Sequence, residues 1–318
     1  MFSNGRVVHK QVDSTKPYDI SEVDLVLTDP PYGIDGSMLD KHYARTGSVQ
    51  GGYVDIPRRE YQSFTDNWTA EAWRHLRPGG AFVVIVGHTP LCSLLRTPTL
   101  ADEYLVNHMI WKYSFGVFTT KKFVTSHYHI LFYRKPGPNQ VFNTEARYGK
   151  TERSADGKSL LYKDLEDVFY IKKTYKTGQE DRNVNTLPSA LPQKLIQYLS
   201  CEGDIVFDPF CGSGTIAKVA LGLGRRAITH ELSPEIYARF HEEILSAQNS
   251  RIQTREPIVS KLDNQGKPWT DADKIALVKG FVRLTDAGAT KKEAIAQLEQ
   301  ELKRGRFAIN NMLKHLGI

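Results

Sequence analysis

Asp204-Ile205-Val206-Phe207-Asp208-Pro209-Phe210-Cys211-Gly212-Ser213-Gly214-Thr215 is the stretch whose reading decides the fold. Its first half is a short apolar run closing on an acid, as a buried strand does at its end. Two glycines separated by one residue then let the backbone turn and come close to a ligand. Apolar residues at helical spacing follow from Thr215 to Leu223, and Arg226-Ala227-Ile228-Thr229-His230-Glu231 reads as a second strand, again ending in an acid. Strand, glycine turn, helix and strand in that order predict a mainly parallel α/β sheet.

The same pattern repeats outward. Apolar runs bounded by turn signals lie at Asp24 to Thr28, Ala81 to Val86 and His129 to Tyr133, with helical spacing near Thr65 to Leu76, Pro192 to Leu199 and Pro234 to Gln248. The chemistry of the glycine turn also narrows the ligand. A helix N-terminus near Thr215 favours a carboxylate, and an acid closing the next strand suits ribose hydroxyls. S-adenosylmethionine carries both groups. A dinucleotide would meet similar physics, but Gly212-Ser213-Gly214 lacks the third, more distant glycine of the dinucleotide pattern. Cys211 between the glycines reads as a small packing residue rather than a nucleophile.

A second motif stands earlier in the chain. The strand Asp24 to Thr28 runs directly into Asp29-Pro30-Pro31-Tyr32-Gly33. Prolines fix φ and carry no N–H, so Pro30 and Pro31 make a stiff turn whose carbonyls can accept hydrogen bonds. An exocyclic amine on a nucleobase offers two N–H donors, and one carboxylate oxygen of Asp29 with one backbone carbonyl can take both. So held, the nitrogen can turn its lone pair toward an incoming methyl group, and the carboxylate favours the positive charge that develops. Tyr32 can stack on the base.

Composition bounds the rest. A chain of 318 residues, 40% of them hydrophobic, has room for one large domain and a small one. Its net charge of +6 and pI near 9.0 suit a polyanionic partner. No apolar run long enough to span a bilayer and no secretory layout at the start is seen, so no membrane partner and a cytoplasmic address are expected. Three scattered cysteines argue against a disulfide framework, and no Cys/His spacing resembles a metal site, so no metal is expected. Residues 34–62, with Gly36, Gly47, Gly51 and Gly52, read as a mobile lid. Residues 137–187 read as an insertion outside the sheet core, in which Arg147, Lys150, Arg153, Lys158, Lys163, Lys172, Lys173 and Lys176 alternate with Tyr148, Tyr162, Phe169, Tyr170 and Tyr175. That composition suits DNA, with Lys150, Arg153, Lys158, Lys172, Lys173 and Lys176 expected at phosphates.

Together, Asp29-Pro30-Pro31-Tyr32 and Phe210-Cys211-Gly212-Ser213-Gly214 resemble the signatures of the DNA amino-methyltransferases, over about residues 7 to 247. The catalytic motif precedes the cofactor motif with the basic insertion between them, an order similar to the β group of that family. The resemblance implies a Rossmann-like, seven-stranded, mainly parallel methyltransferase sheet with one reversed strand over residues 1–257. It also implies S-adenosylmethionine as cofactor, double-stranded DNA as substrate, and rotation of the target base out of the helix. Carried over by position, Asp29, Pro30, Pro31 and Tyr32 hold the flipped base. Asp208, Phe210, Gly212, Gly214, Thr215 and Glu231 surround the cofactor, with Asp13 lining the same pocket. Leu76 to Ile85 matches a structural strand, and Trp111-Lys112 with Phe123 to Tyr133 matches the last hairpin of the family's sheet. The chain departs from the family pattern at Tyr128, where a glutamate is usual after the histidine matched by His127, at Leu187-Pro188, and at Thr229-His230. The implied activity is methyl transfer to N6 of adenine, with cytosine N4 as the alternative and a non-catalytic DNA-binding subunit as the alternative of another class. Restriction-modification systems use such enzymes, and a homodimer or a separate restriction endonuclease remains open as a partner.

A linker over 258–268 leads to a tail, 269–318, in which three short helices are expected. Trp269-Thr270-Asp271-Ala272-Asp273 opens the first, with Ile275, Val278 and Val282 on its apolar face. Thr290 caps the second with Glu293 three residues on, and Ala294, Ile295 and Leu298 continue it. Arg304 to His315 supplies the third. The tail is similar to Myb-type or helix-turn-helix modules, which implies Arg304, Arg306 and Lys314 near phosphates and Asn310 or Asn311 in a groove. From Lys261 to Lys314 there are eleven Lys/Arg against seven Asp/Glu. A packing or dimerisation bundle is the other reading.

Overall fold

The computed structural model describes residues 2, 5–33, 56–113, 120–121, 123–144, 146–147, 163–172, 186–254, 264 and 267–318. The chain divides into two compact units, Met1–Pro136 with Val141–Val259, and Gly137–Gln140 with Ser260–Ile318.

The first unit is built on one sheet. Its strands are β1 (Val7–Gln11), β2 (Val23–Thr28), β3 (Leu76–Val86), β4 (Leu105–Lys112), β5 (His127–Arg134), β6 (Val168–Tyr170), β7 (Ile205–Asp208) and β8 (Arg226–Glu231), in the spatial order β1-β8-β7-β2-β3-β5-β4-β6. Every neighbouring pair is parallel except the two that involve β5, which runs against both β3 and β4. One reversed strand in a parallel sheet is therefore present as expected. Among the described residues the strand count is eight rather than seven. The extra strand, β6, comes from within 137–187, so part of the segment read as an insertion extends the sheet edge by pairing with Ile110 to Lys112.

Both faces of the sheet are covered, which is why the runs Leu25 to Leu27, Ala81 to Val86 and Ile205 to Phe207 are apolar rather than alternating. In β3, everything from Gly79 to Val86 is buried. One face, with Leu25, Leu27, Val83, Ile85 and Phe132, packs on α3 (Ala190–Leu199) and α4 (Thr215–Gly222), and on Ile244 of α5 (Pro234–Ser246). The other, with Val26, Phe82, Val84 and Phe207, packs on α1 (Tyr61–His75) and α2 (His88–Leu94). Helix α1 starts at Tyr61, four residues earlier than its apolar spacing predicts, so the last part of the stretch read as a lid is helical. Residues 34–55 lie outside the described residues. Among the described residues no helix is long and apolar enough to cross a membrane.

The second unit holds α6 (Asp271–Asp286), α7 (Lys291–Leu302) and α8 (Arg306–His315). Thr270 with Asp273 and Thr290 with Glu293 form capping boxes at the first two. Leu277, Phe281, Leu284, Ala294, Leu298, Ile309 and Leu313 make the core. The apolar face of α6 is thus not the one expected: Ile275 and Val282 are 55% and 46% exposed, while Leu277, Phe281 and Leu284 point inward. Both sets have helical spacing, and the partner helices select between them. Gly280 lets α7 approach closely, since a side chain there would meet Leu298 at 2.6 Å.

Candidate active site

Strands β1, β8, β7 and β2 are consecutive neighbours and parallel, so their C-terminal ends emerge along one edge of the sheet. Ligands of open α/β sheets bind at such an edge. Here it gathers Asp13 just after β1, Glu231 at the end of β8, Asp208 at the end of β7 and Asp29 just after β2. The two sequence motifs, about 180 residues apart, therefore become neighbours. A buried hydrogen bond joins them, with the Thr28 hydroxyl donating to Oδ1 of Asp208 over 2.8 Å.

The turn after β7 is organised by the acids. Asp208 Oδ1 also accepts from the backbone N–H of Phe210 at 3.1 Å. Glu231 bridges the turn and the next helix: Oε2 accepts from the N–H of Gly212 at 3.0 Å, and Oε1 from that of Ser233 at 2.8 Å. Gly212 and Gly214 have φ of +49° and +76°, the left-handed region that favours glycine. The two differ in surroundings. A side chain on Gly214 would collide with Ile244, whereas one on Gly212 would enter open space. Gly214 is the N-cap of α4, and Thr215 opens that helix. The open side of Gly212, beside the Glu231 carboxylate and next to a helix N-terminus, fits a ligand with a carboxylate and a ribose, as S-adenosylmethionine has. Asp13 accepts from the N–H and hydroxyl of Thr15 at 3.0 and 2.6 Å, which shapes its turn. Phe210 packs edge-on to Trp68, with centroids 5.3 Å apart.

Electrostatics along this edge are dominated by carboxylates. Burial pushes Asp208 up to about 7, and the negative charges of Asp29 and Glu231 push in the same direction. Burial also raises Glu231, opposed by its backbone hydrogen bonds. A cluster of acids with costly ionisation favours a cationic ligand.

On the neighbouring loop, Asp29 and Pro31 are half-buried and Pro30 is buried. Tyr32 donates its hydroxyl to Oδ1 of Asp29 over 2.5 Å, so the tyrosine orients the carboxylate. Tyr61 of α1 clamps the loop by donating to the carbonyl of Pro31 at 2.5 Å, and its ring lies where a side chain on Gly33 would be. Among the described residues nothing donates to the carbonyl of Pro30. Tyr128, at the start of the reversed strand β5, faces Tyr32 with centroids 5.8 Å apart, and stacks on Trp111 at 5.1 Å. The result is an aromatic wall beside the Asp29 carboxylate.

Sequence reasoning missed Thr28, Tyr61 and this use of Tyr128. A buried threonine closing an apolar strand was the available signal for the first, since such a hydroxyl needs a partner. Tyr61 reads as one member of the apolar stripe with Phe64 and Trp68, and Tyr128 as a departure from a family pattern.

Of the residues expected at DNA, Lys172 is exposed just after β6, while Lys150, Arg153, Lys158, Lys173 and Lys176 lie outside the described residues. Arg304 does not fit the expected role. It is only 3% exposed, and its guanidinium donates to the carbonyls of Lys267 at 2.7 Å and Pro268 at 3.0 Å and to Asp273 at 2.8 Å, above the ring of Trp269. It locks the turn before α8 onto the start of α6 and has no reach toward a phosphate. Arg306 is half-exposed and ion-paired with Glu299.

Comparison with known proteins identifies the family. The family model described as DNA methylase, of the N6/N4 type, matches residues 23–242. Type II methyltransferase M.HpaI of Haemophilus parainfluenzae is 26% identical over 248 residues, covering 74% of this chain and 72% of that protein. M.ScaI of Streptomyces caespitosus is 26% identical, covering 66% and 70%. Among solved structures, a Thermus thermophilus protein described as a DNA modification methylase, complexed with S-adenosyl-L-methionine, has a TM-score of 0.50 at 22% identity, covering 80% of this chain and 100% of that one. PvuII DNA methyltransferase, cytosine-N4-specific, has a TM-score of 0.50 at 18% identity, covering 77% and 92%.

Proposed function

Because the chain belongs to the N6/N4 family of DNA methylases, we propose that it transfers a methyl group from S-adenosylmethionine to N6 of an adenine rotated out of duplex DNA. The observation that carries this reading is the juxtaposition, through the Thr28 to Asp208 hydrogen bond, of the Asp29 loop with the Gly212 and Glu231 cradle. When bound, S-adenosylmethionine supplies an electrophilic methyl carbon on a sulfonium. Glu231 and the turn at Gly212 hold its ribose and the helix N-terminus at Thr215 attracts its carboxylate, while the acids along the edge favour its positive charge.

Asp29 and the carbonyl of Pro30 accept the two N–H groups of the target amine. Tyr32 keeps the carboxylate turned, and the rings of Tyr32 and Tyr128 flank the base. Held in this way, the nitrogen would have its lone pair aimed at the methyl carbon that S-adenosylmethionine would supply, and Asp29 is positioned to take the proton that the methylated nitrogen gives up. Extracting the base from the stack costs a few kcal/mol, which the aromatic wall offsets in part. Adenine is favoured over cytosine by the aspartate at the first position of the motif, a leaning taken from the family resemblance.

The test is transfer of tritiated methyl to DNA, with calorimetry of cofactor binding alongside. Asp29→Ala is expected to slow transfer by roughly 1000-fold or more while leaving S-adenosylmethionine affinity near wild type. Glu231→Ala is expected to weaken cofactor affinity by about tenfold. Near-normal turnover by Asp29→Ala would overturn the mechanism, and N4-methylcytosine as the product nucleoside would overturn the choice of base.

A further inference from the structure

The second unit carries a surface that the methyl-transfer reaction does not use. Helices α7 and α8 are joined by only Lys303, Arg304 and Gly305, with Lys303 in the left-handed conformation at φ +53°. Two helices joined by a three-residue turn containing glycine, and braced by a third, are the plan of a helix-turn-helix. The turn is fixed from inside by Arg304, whose guanidinium bonds reach Lys267, Pro268 and Asp273. Ile309 and Leu313 bury one side of α8 in the bundle core.

The opposite side of α8 has a distinct composition. Phe307, Asn310, Asn311 and Lys314 recur at helical spacing, and Phe307 is 78% exposed. From Arg306 to Ile318 there is no Asp or Glu, and Arg306 and Lys314 are basic. The acids of α7 that stand nearest in sequence are engaged: Glu293 in its capping box, Glu299 with Arg306 and Glu301 with Arg283. A face for a second copy of this chain would bring like charges together around a single phenylalanine, whereas the core of a protein interface is apolar and depleted in charge. A duplex fits better. Asparagine pairs with the N6 and N7 atoms of adenine, a phenylalanine ring contacts the thymine methyl, and N-terminal residues of a recognition helix are the ones that reach base edges.

We propose that α8 is a groove-reading helix, placing Phe307, Asn310 and Asn311 in a major groove and Lys303 and Lys314 at phosphates, so that the chain grips duplex DNA through its second unit as well as at its reaction centre. The proposal rests on the DNA reading above only for the identity of the polymer. Its test uses the full chain and a pool of long duplexes of mixed sequence, with S-adenosylmethionine binding measured alongside. Phe307→Ala, and separately Asn310→Ala with Asn311→Ala, should each lower affinity for the long duplex by about tenfold and leave S-adenosylmethionine affinity unchanged. Lys314→Ala should flatten the log–log salt dependence of long-duplex binding by about 0.9. Ile275→Lys, on the exposed side of α6, is the control and should change neither. Folded variants that bind the long duplex like wild type would overturn the proposal, as would a change in oligomeric mass with unchanged DNA affinity, which would make α8 an assembly face. Wild-type protein that transfers no methyl to DNA, yet loses long-duplex affinity in these variants, would sink the proposed reaction and keep this one.

Discussion

Asp208 is the most informative single position in the first unit, because its burial gives a stability signature that can be worked out in advance. Its carboxyl titrates near 7 in the folded chain, against 3.8 for an ordinary aspartate, chiefly because burial disfavours the charged form. For a group whose folded pKa is raised, the native state holds a proton that the unfolded chain has lost. Its contribution is then fully present below about pH 4 and disappears as pH rises through about 7. A difference of about 3 units corresponds to about 4 kcal/mol, a large share of the 5–15 kcal/mol typical of a domain. Three buried histidines work in the opposite sense. Burial lowers His9 and His129 to about 4 and His230 to about 3, so all three favour folding above their unfolded value of 6.5 and lose that contribution as pH falls. The raw pH profile therefore mixes signs, and a difference between two proteins is needed.

Asp208→Asn supplies it. The amide keeps an oxygen to accept from Thr28 and Phe210, replaces the acid proton with N–H, and cannot ionise. Urea unfolding would be followed by fluorescence in a Trp269→Phe background, so that the signal comes from Trp68, Trp73 and Trp111 of the first unit. The stability of the aspartate protein minus that of the asparagine protein should fall by about 1.4 kcal/mol per pH unit between about pH 4 and pH 7, then level off. The histidine contributions cancel in the subtraction. A flat difference across that window would refute the argument, since it would mean that Asp208 ionises in the folded protein as easily as in water.

The remaining expectations concern the two loops. Tyr32→Phe keeps the ring against Tyr128 and removes the hydroxyl that orients Asp29, so turnover at saturating DNA should fall about tenfold while DNA affinity holds; an unchanged rate would show the hydrogen bond to be incidental. Gly214→Ala meets Ile244 and a left-handed backbone, and should cost roughly 2–4 kcal/mol of unfolding free energy. Gly212→Ala meets only the backbone strain, about 1 kcal/mol, but puts a methyl group into the open space proposed for the cofactor, so calorimetry should show the larger loss of S-adenosylmethionine affinity there. Equal effects of the two alanines on stability and on affinity would contradict this division of labour.

What could be read from the sequence follows from which demands are local. Gly212, Gly214, Pro30 and Pro31 are legible because a left-handed turn or a fixed φ restricts the residue at that very position. Strands β2, β3 and β7 are legible because burial on both faces leaves unbroken apolar runs, Leu25 to Leu27, Ala81 to Val86 and Ile205 to Phe207. Thr28 and Tyr61 are different. Each acts through a partner far away in the chain, Asp208 for one and Pro31 for the other, and their neighbours in sequence do not say which partner that is. Strand β6 has three residues, too few for any alternation to register, so it disappears into the surrounding basic segment.

Arg304 and helix α6 show the same limit from the other side. An arginine in a basic tail is read as a surface cation because most are, yet this one finds two carbonyls, a carboxylate and an indole ring within reach and becomes interior. On α6, Ile275, Val278 and Val282 satisfy helical spacing as well as Leu277, Phe281 and Leu284 do, and the set that is buried is the one that meets Leu298 and Leu313. Periodicity specifies that a helix has an apolar side; a second helix, with a glycine such as Gly280 at the contact, specifies which side. The residues left outside by that choice are then the ones to question for a partner. On α8 the core takes Ile309 and Leu313, so the side it leaves to solvent is defined by Phe307, Asn311 and Lys314, a combination that neither folding nor solubility requires.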